Sequence, residues 1–267
     1  MSIIRLYRFL FARKLFFRWN RLLYRCSLSG LGVLNYENGK VSGEERFLKD
    51  LLYRGRKEVI VDVGANVGNY SRKVLEINPA ATVYAFEPHP KNFSRLISNI
   101  KDASFFAVNA GVGGNDNVMT LYDYADRDGS SHASLYKDVI EGIHKQKSVE
   151  HKVRVVTLDS FFSDKQIDRI DLLKIDTEGN ELDVLNGAEN LLKRKIINAI
   201  HFEFNEMNAV SRTFFRDFFR RLTDYDFYRL LPDGMLEIKD YSPIFCEIFA
   251  YQNIVAILKK DTPESLS

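Results

Sequence analysis

Short apolar segments alternate with amphipathic segments through most of the chain. The apolar segments have the length and the β-branched or aromatic content of buried strands, and the segments between them have helical spacing. The predicted strands are 58–63, 82–87, 104–109, 171–176 and 197–204, and the predicted helices are 69–77, 91–100 and 180–194. Buried strands that alternate with helices are typical of parallel β-α-β units covered on both faces. The sequence therefore predicts an α/β fold with a mostly parallel sheet.

The pattern changes in the last quarter of the chain. A helix is predicted at 211–223, and strands are predicted near 226–231, 235–238 and 246–258. The hairpin-like sequence "PDGM" joins the first two of these strands. We therefore expect partly antiparallel pairing at the C-terminal end of the sheet.

The alternation is also interrupted between residues 115 and 157. "VMTLYDY" and "HKVRVVTL" have the composition of strands, and the segment between them is long, polar and without a clear period. A long irregular segment in a compact domain is usually functional, often as a lid or a binding loop. We divide the chain into an N-terminal helix and connection, 1–44, and a domain, 45–267, that carries this insertion.

The N-terminal segment is basic, with no acidic residue among residues 1–36. Four basic residues recur at helical spacing, and four large apolar residues fall largely on the other side. These two sets are Lys14, Arg18, Arg21 and Arg25, and Leu15, Trp19, Leu22 and Leu23. Such a helix can rest on an anionic membrane, or it can pack on its own domain while its cations reach water.

Composition excludes several classes of protein. Hydrophobic residues make up 45% of the 267 residues, too many for a disordered chain, and the net charge of +2 does not predict a nucleic-acid partner. Cys26 and Cys246 form no metal-binding spacing and suit a reducing compartment. Since no apolar run is long enough for a membrane span and no signal peptide is evident, we expect a cytoplasmic protein, with peripheral membrane contact as an alternative.

A glycine-containing turn follows the first predicted strand. The sequence "DVGANVG" lacks the lysine and hydroxyl residue of a phosphate-binding P-loop, and Asn66 replaces the middle glycine of a dinucleotide fingerprint. Glu87 ends the next strand, where an acidic side chain can accept both ribose hydroxyls of a nucleoside. Asp62, at the end of the first strand, favours a cationic ligand over a diphosphate. S-adenosylmethionine fits this combination, and NAD fits it less well.

Acidic residues also follow two later strands. Asp176 and Glu178 come after strand 171–176, and open α/β sheets bind ligands beyond the carboxyl ends of their strands. Like charges on one edge require a cationic ligand, a metal or a base with a raised pKa, unless the acids simply stabilise a helix N-terminus. In "AIHFEFNE", Glu203 can also reach this edge, whereas His201 is expected to be structural.

These segments together resemble the FkbM family of S-adenosylmethionine-dependent methyltransferases. The resemblance covers about residues 45–205, and it is carried by "DVGANVGNYS", "VYAFEPHPKNFSRLISNI", "VNAGVGG", "VVTLDSFF" and "DLLKIDTEGNELDVLNGAENLL", which occur in the order of the family. The resemblance implies a Rossmann-like class I methyltransferase sheet that ends in an antiparallel strand. It also implies methyl transfer to a hydroxyl of a sugar, glycolipid or polyketide-type acceptor.

Thirteen residues of this sequence are candidate site residues, most of them implied by the resemblance and Glu203 by its position on the strand. The implied cofactor-binding residues are Asp62, Gly64, Asn66, Gly68, Asn69, Glu87, Ala110 and Gly111. Asp176 and Glu178 are the implied catalytic residues, and Ser131, His132 and Glu203 are candidates for acceptor binding. We expect Asp176, helped by Glu178, to orient or deprotonate the acceptor hydroxyl, because an alcohol is a poor nucleophile. A Mg²⁺ ion held by the same two acids is an alternative.

Two other functions remain as alternatives at this point. An NAD-dependent oxidoreductase can use the same fold, although the missing middle glycine and the absence of a Tyr-x-x-x-Lys pair disfavour it. A non-catalytic module that binds a membrane or a partner through its basic helix would bind neither cofactor. We expect a small-molecule or glycan acceptor and no nucleic acid.

Overall fold

A computed structural model describes residues 2–53, 55–165 and 167–260. Residues 261–267, the end of the predicted domain 45–267, lie outside the described residues. Eleven strands form two sheets in this part of the chain. The strands are β1 (Val59–Val63), β2 (Thr82–Phe86), β3 (Phe105–Val108), β4 (Gly111–Val112), β5 (Asn117–Tyr124), β6 (Ser148–Val156), β7 (Leu172–Ile175), β8 (Ala199–Phe204), β9 (Tyr225–Leu231), β10 (Gly234–Ile238) and β11 (Gln252–Leu258).

The larger sheet has eight strands in the order β10-β9-β11-β8-β7-β1-β2-β3. The five neighbouring strands β8, β7, β1, β2 and β3 pair in parallel. β11 is inserted antiparallel between β8 and β9. β9 and β10 form the hairpin predicted from "PDGM". The structure therefore confirms a mostly parallel sheet with an antiparallel C-terminal strand.

The described residues form eleven α-helices, and several of these cover the two faces of this sheet. The helices are α1 (Ile3–Phe11), α2 (Phe17–Gly30), α3 (Glu44–Leu51), α4 (Asn69–Ile77), α5 (Pro90–Asn99), α6 (Leu158–Phe162), α7 (Glu181–Asn186), α8 (Glu189–Lys193), α9 (Met207–Ser211), α10 (Phe215–Arg221) and α11 (Pro243–Cys246). Alternate residues of β1 point to opposite faces, so Val61 packs with α6, α7, α8 and α10, and Ile60 packs with α3 and α4. The two apolar layers bury the sheet between them.

The register of the parallel strands aligns the predicted site residues. Val63 is paired with Phe86 on one side and with Ile175 on the other, and Ile175 is paired with Phe202. The next residue on each strand therefore lies at the same edge of the sheet. These next residues are Gly64, Glu87, Asp176 and Glu203.

The inserted region forms a second sheet in the order β4-β6-β5. β5 and β6 form a long antiparallel pair in which Asn117 is aligned with Val155 and Tyr124 with Ser148. The irregular segment between them contains one π-helical turn, Val139–Ile143. This segment returns toward the edge of the larger sheet where the four aligned residues lie.

Several predicted elements are shorter or broken. The predicted helix 180–194 is two helices, α7 and α8, which are separated at Gly187 and Ala188. Gly187 lies so close to Gly113 that an added Cβ would be 2.0 Å from the Gly113 carbonyl oxygen, so this position admits no side chain. The predicted helix 211–223 is shorter in the structure, where it corresponds to α10, and α9 ends at its first residue, Ser211. The last strand begins at Gln252, because α11 ends at Cys246 and residues 247–251 are irregular.

The N-terminal segment is two helices joined by a 3₁₀ turn, and most of this segment does not pack on the domain. No residue of α1 is buried, and Leu28 is the buried residue of α2. The interpretation of this segment as a helix docked on its own domain is therefore wrong for α1 and for most of α2. None of the helices within the described ranges combines the length and the apolar character that a membrane span requires.

Candidate functional site

Two cavities open at the edge where the aligned strand ends lie. We call them the Glu87 cavity and the Glu203 cavity, each after an acidic residue of its wall. The Glu87 cavity is also lined by Pro88, Asn92, Gly111, Val112 and Asn180, and the Glu203 cavity by Tyr36, His144, Asn205, Met207 and Tyr251. Five residues line both cavities: Gly64, Asn66, Ser131, Asp176 and Glu178. A group held in one cavity can therefore reach a molecule held in the other.

The turn after β1 is held tightly against the end of β7. Gly64 has φ +84°, and a Cβ on it would lie 1.7 Å from the carbonyl oxygen of Asp176, so this position admits no side chain. Asn66 also has a positive φ, of 50°, a conformation that Asn tolerates better than most residues. Its backbone N–H donates a hydrogen bond of 2.8 Å to Glu87 Oε2. The turn therefore links the ends of β1, β2 and β7.

Glu87 is a buried acid whose two oxygens are both hydrogen-bonded to the backbone. Oε2 accepts from Asn66 and Oε1 accepts from His89 N–H at 2.7 Å. Burial raises the pKa of Glu87 to about 7, and the two backbone hydrogen bonds partly offset this effect. The carboxyl group is thus fixed at the wall of the cavity, with lone pairs left to accept hydrogen bonds from a ligand.

A buried lysine lies beneath the acids of the shared wall. Lys174 is 3% exposed, and its Nζ lies 3.7 Å from Asp176 Oδ2 and 3.9 Å from Glu203 Oε1. This ammonium has no hydrogen-bond partner in the described part of the chain. Burial would lower the pKa of Lys174, but the carboxylates of Asp176 and Glu203 outweigh burial and raise it. Lys174 therefore stays charged and offsets the repulsion between the acids.

Glu178 lies where the two cavities meet, in a strained turn. Its φ is +52°, an uncommon value for a residue with a side chain, and such strain is often found at functional sites. Glu178 Oε1 lies 3.2 Å from His132 Nδ1. Burial raises the pKa of Glu178, and the hydrogen bond to His132 opposes this; the same hydrogen bond raises the pKa of His132.

The segment between β5 and β6 covers the Glu87 cavity. Buried Asp123 accepts hydrogen bonds from the backbone N–H groups of Gly129 and Ser130, at 2.7 and 2.9 Å. Asn92 of α5 donates to the carbonyl oxygen of Ser130 at 2.9 Å. These contacts place Ser131 in the wall that the two cavities share, and the role of this segment as a lid or binding loop stays a prediction.

Nine of the thirteen predicted site residues line one or both cavities. They are Gly64, Asn66, Glu87, Gly111, Ser131, His132, Asp176, Glu178 and Glu203. His201, which we expected to be structural, is buried between Tyr70 and Asn253 and lines neither cavity.

Four predicted cofactor residues line neither cavity, and their positions do not support direct contact with a cofactor. Asp62 is buried and accepts a hydrogen bond from the Ser71 hydroxyl. Gly68 begins α4 against Leu96, Asn69 is exposed to solvent, and Ala110 is fully buried. They lie in or next to the turns after β1 and β3, outside the lining of both cavities.

Sequence reasoning missed Lys174 and two tyrosines. A lysine inside the apolar strand "LLKI" was a usable signal, because a buried cation requires a partner. Tyr36 and Tyr251 gave no such signal, since they are far apart in sequence. Their rings meet at 6.0 Å between centroids, and both line the Glu203 cavity.

The residues do not fit the Mg²⁺ site that was an alternative. Asp176 already lies beside the Lys174 ammonium, and Glu178 is hydrogen-bonded to His132, so each carboxylate has a partner on the protein. Within the described residues, a group with metal-ligand geometry is His89, Asp128 and His151. Since Nδ1 of His89 accepts the Lys91 N–H, its Nε2 carries the proton and donates to Asp128 at 2.9 Å. A hydrogen-bonded cluster explains this group without a metal.

Comparison with known proteins identifies related sequences. A family model described as "Methyltransferase FkbM domain" matches residues 62–228. The chain is 30% identical to Methyltransferase 1 of Beauveria bassiana, over 49% of this chain and 58% of that protein. It is 28% identical to the hexuronic acid methyltransferase AglP of Haloferax volcanii, over 62% and 63%, and 26% identical to the 2-O-methyltransferase NoeI of Sinorhizobium fredii, over 52% and 61%.

The matches to these relatives are partial. Each match spans less than two thirds of the relative's own length. Among solved structures, a TehB-like SAM-dependent methyltransferase from Corynebacterium glutamicum aligns over 90% of this chain and 97% of its own, with 12% identity and a TM-score of 0.43.

Proposed function

Since this chain belongs to the FkbM methyltransferase family, we propose that it transfers a methyl group from S-adenosylmethionine to a hydroxyl oxygen of a sugar-like or other polyhydroxylated acceptor. The observation that carries this proposal is the wall shared by the Glu87 and Glu203 cavities. Group transfer requires two binding sites that meet at the reacting atoms, and Asp176 and Glu178 lie at that junction. The name of the relative NoeI as a 2-O-methyltransferase supports oxygen as the methyl acceptor.

The Glu87 cavity has the properties needed for the cofactor. Glu87 is placed to accept ribose hydroxyls, and its carboxylate is already oriented by two backbone N–H groups. Asp176 and Glu178 place negative charge at the end of the cavity that faces the acceptor. When bound, S-adenosylmethionine supplies a methyl group on a cationic sulfonium, a good leaving group. The protein therefore mainly has to position the reactants and exclude water.

The Glu203 cavity supplies the groups that act on the acceptor. We assign Asp176 as the residue that orients or deprotonates the hydroxyl, because it lines both cavities and its carboxylate is 38% exposed. Glu178 assists, and His132 holds the Glu178 carboxyl group through their hydrogen bond. Lys174 is a positioning residue: it lies behind Asp176 and Glu203 and reaches neither cavity.

The charge of the Glu203 cavity favours a neutral acceptor. Four acidic residues line it, and the neighbouring Lys174 is buried behind two of them. The lining acids are Asp176, Glu178, Glu203 and Glu206. An acceptor with its own carboxylate would be repelled, because like charges are costly in a partly desolvated site. The proposed acceptor is therefore a neutral glycan or similar polyol, in contrast to the hexuronic acid named for AglP.

Two variants of the whole chain test this proposal. Isothermal titration with S-adenosylmethionine, and separately with NAD, is expected to show binding of the first only. Glu87→Ala is expected to weaken that binding by roughly 100-fold, because it removes charge-assisted hydrogen bonds to the ribose. Asp176→Asn is expected to keep cofactor affinity and to lower transfer of labelled methyl to neutral sugars by about 100-fold or more.

Glu76→Ala is the matched control for Glu87→Ala, since Glu76 is an exposed acid of α4 that lines neither cavity. It is expected to bind the cofactor as the unaltered chain does. Binding of NAD, or equal S-adenosylmethionine affinity in Glu87→Ala and Glu76→Ala, would contradict the cofactor assignment. Full methyl transfer by Asp176→Asn would remove Asp176 from the mechanism. Transfer to uronic acids in preference to neutral sugars would overturn the proposed acceptor charge.

A further inference from the structure

The N-terminal helices expose an unusual amount of apolar side chain. We call residues 3–30, which comprise α1, the 3₁₀ turn and α2, the arm. Ile3, Leu15 and Trp19 are 83%, 84% and 63% exposed. Other large apolar side chains of the arm that are exposed include Ile4, Phe9, Phe17, Leu22 and Leu23. Contiguous exposed apolar surface of this kind marks a site of interaction.

The arm has internal contacts that hold its two helices together. The side-chain amide of Asn20 donates to the carbonyl oxygen of Phe11 at 3.0 Å, at the end of α1. The same side chain accepts a hydrogen bond from the Tyr7 hydroxyl. The Phe11 ring packs edge-on against Phe16, with 5.2 Å between centroids. The apolar surface is therefore presented by a folded unit, so binding does not have to order it first.

The charges of the arm are all of one sign. Residues 1–36 contain seven basic residues and no acid, and all seven are exposed. Arg18, Arg21 and Arg25 form one stripe of α2, beside the face that carries Trp19 and Leu22. An apolar face next to a basic stripe matches a surface in which acyl chains lie below anionic headgroups.

The base of the arm lies next to the opening of the Glu203 cavity. Just beyond α2, Val33 pairs with Gln252 at the start of β11, and Leu34 N–H donates to the carbonyl oxygen of Tyr251 at 2.7 Å. Tyr36 then lines the cavity together with Tyr251. A surface bound by the arm would therefore lie near the Glu203 cavity.

We propose that the arm lies on an anionic lipid membrane, with its apolar face in the headgroup region and its cations on the lipid phosphates. The proposal is independent of methyl transfer, because it concerns residues that line neither the Glu87 nor the Glu203 cavity. A second copy of the arm is a poor alternative partner, since association of two arms would bring seven cations against seven.

Trp19 gives a direct measurement, because it is the single tryptophan of the chain and lies on the arm. The full chain is titrated with phosphatidylcholine vesicles and with vesicles that also contain phosphatidylglycerol. We expect a blue shift of Trp19 emission and co-sedimentation with the anionic vesicles, both reversed by high salt. Arg18→Glu/Arg21→Glu/Arg25→Glu should bind at least about 100-fold more weakly, because each cation near an anionic surface contributes about fivefold in affinity.

The matched control, Lys49→Glu/Lys101→Glu/Lys147→Glu, reverses the charge of three exposed lysines outside the arm. It should bind vesicles nearly as the unaltered chain does. Both triple variants should keep the melting temperature, since the altered side chains are exposed. Unchanged Trp19 emission with anionic vesicles would overturn the proposal. Equal loss of binding in the two triple variants would also overturn it, because net charge alone would then explain binding. A blue shift that rises with protein concentration without lipid would assign the arm to self-association instead.

Discussion

The Glu87 cavity and the Glu203 cavity share a wall, yet they are built in different ways. Short turns that directly follow β1, β2 and β7 form half of the lining of the Glu87 cavity, and their shape depends on backbone contacts such as that of Gly64 with Asp176. The Glu203 cavity combines side chains from distant segments, from Tyr36 near the arm to His144 in the inserted region and Tyr251 before β11. Its properties depend on a balance of charges around Lys174.

This difference indicates what each cavity can change. A wall made of backbone tolerates few substitutions, which suits a ligand that stays the same. A wall made of side chains from separate segments can change its charge and shape one residue at a time. We therefore expect substitutions in the wall of the Glu87 cavity to destabilise the fold. Substitutions in the wall of the Glu203 cavity should instead change acceptor selectivity or the pH dependence of the enzyme.

The largest expected effect is that of Gly64→Ala. The added Cβ would lie 1.7 Å from a backbone oxygen, and neither strand end can move without breaking the sheet register. We expect a loss of stability of roughly 4 kcal/mol or more, and therefore little folded protein. Gly55→Ala is the matched control, because Gly55 has a similar φ of +86° with nothing within 4 Å, and it should cost about 1–2 kcal/mol. Equal thermal stability of the two variants would show that the close contact is unimportant.

The same contrast explains how much could be predicted from the sequence. The turn after β1 and the acids at the strand ends could be found because each lies one residue beyond an apolar strand, and parallel register then aligns them. The contact of Tyr36 with Tyr251 could not be found, because it depends on the insertion of β11 between β8 and β9. The exposed state of the arm was also unpredictable, since an amphipathic pattern does not specify what covers the apolar face.

The sequence also could not predict the direction in which each strand-end carboxylate faces. Asp62 and Glu87 both lie near the ends of adjacent strands, and we predicted a cofactor-binding role for each. Asp62 is aligned with Ala85, two residues before Glu87, so it lies inside β1, where its carboxylate accepts a hydrogen bond from the Ser71 hydroxyl of α4. Glu87 lies just beyond β2 and faces the cavity. The sequence pattern alone does not specify this relative register of the two strands.

The next largest effect is expected for Lys174→Met, which removes the cation beneath the Glu203 cavity. Loss of one partner from a buried charge group leaves Asp176 and Glu203 uncompensated, so we expect a loss of about 3–5 kcal/mol near neutral pH. Burial already raises the pKa of Glu203 well above its usual value. The folded chain is therefore more stable when the Glu203 carboxyl group is protonated, and it loses stability as pH rises and this group ionises. The loss should therefore shrink as pH falls, which denaturant unfolding at acidic and neutral pH would measure.

Lys193→Met is the matched control for this prediction. Lys193 makes an exposed ion pair of 2.7 Å with Glu189, and such pairs contribute at most about 1 kcal/mol. We expect its unfolding free energy to be close to that of the unaltered chain at both pH values. If Lys174→Met were equally stable, or if its loss grew in acid, the proposed charge balance at the Glu203 cavity would be wrong.

The smallest effect is expected for His132→Gln, which alters the side of Glu178 that faces the acceptor. The hydrogen bond from His132 opposes the rise in the pKa of Glu178 that burial causes, so its loss should raise that pKa further. If ionised Glu178 assists methyl transfer, turnover rises with pH as Glu178 loses its proton, and this rise should move to higher pH in the variant. His144→Gln should leave the profile in place, because the His144 ring centroid lies 5.2 Å from that of His132 and its buried Nε2 has no hydrogen-bond partner among the described residues. Identical pH profiles of kcat in the two variants would remove the His132–Glu178 pair from the chemistry and leave Asp176 as the acid that acts on the acceptor.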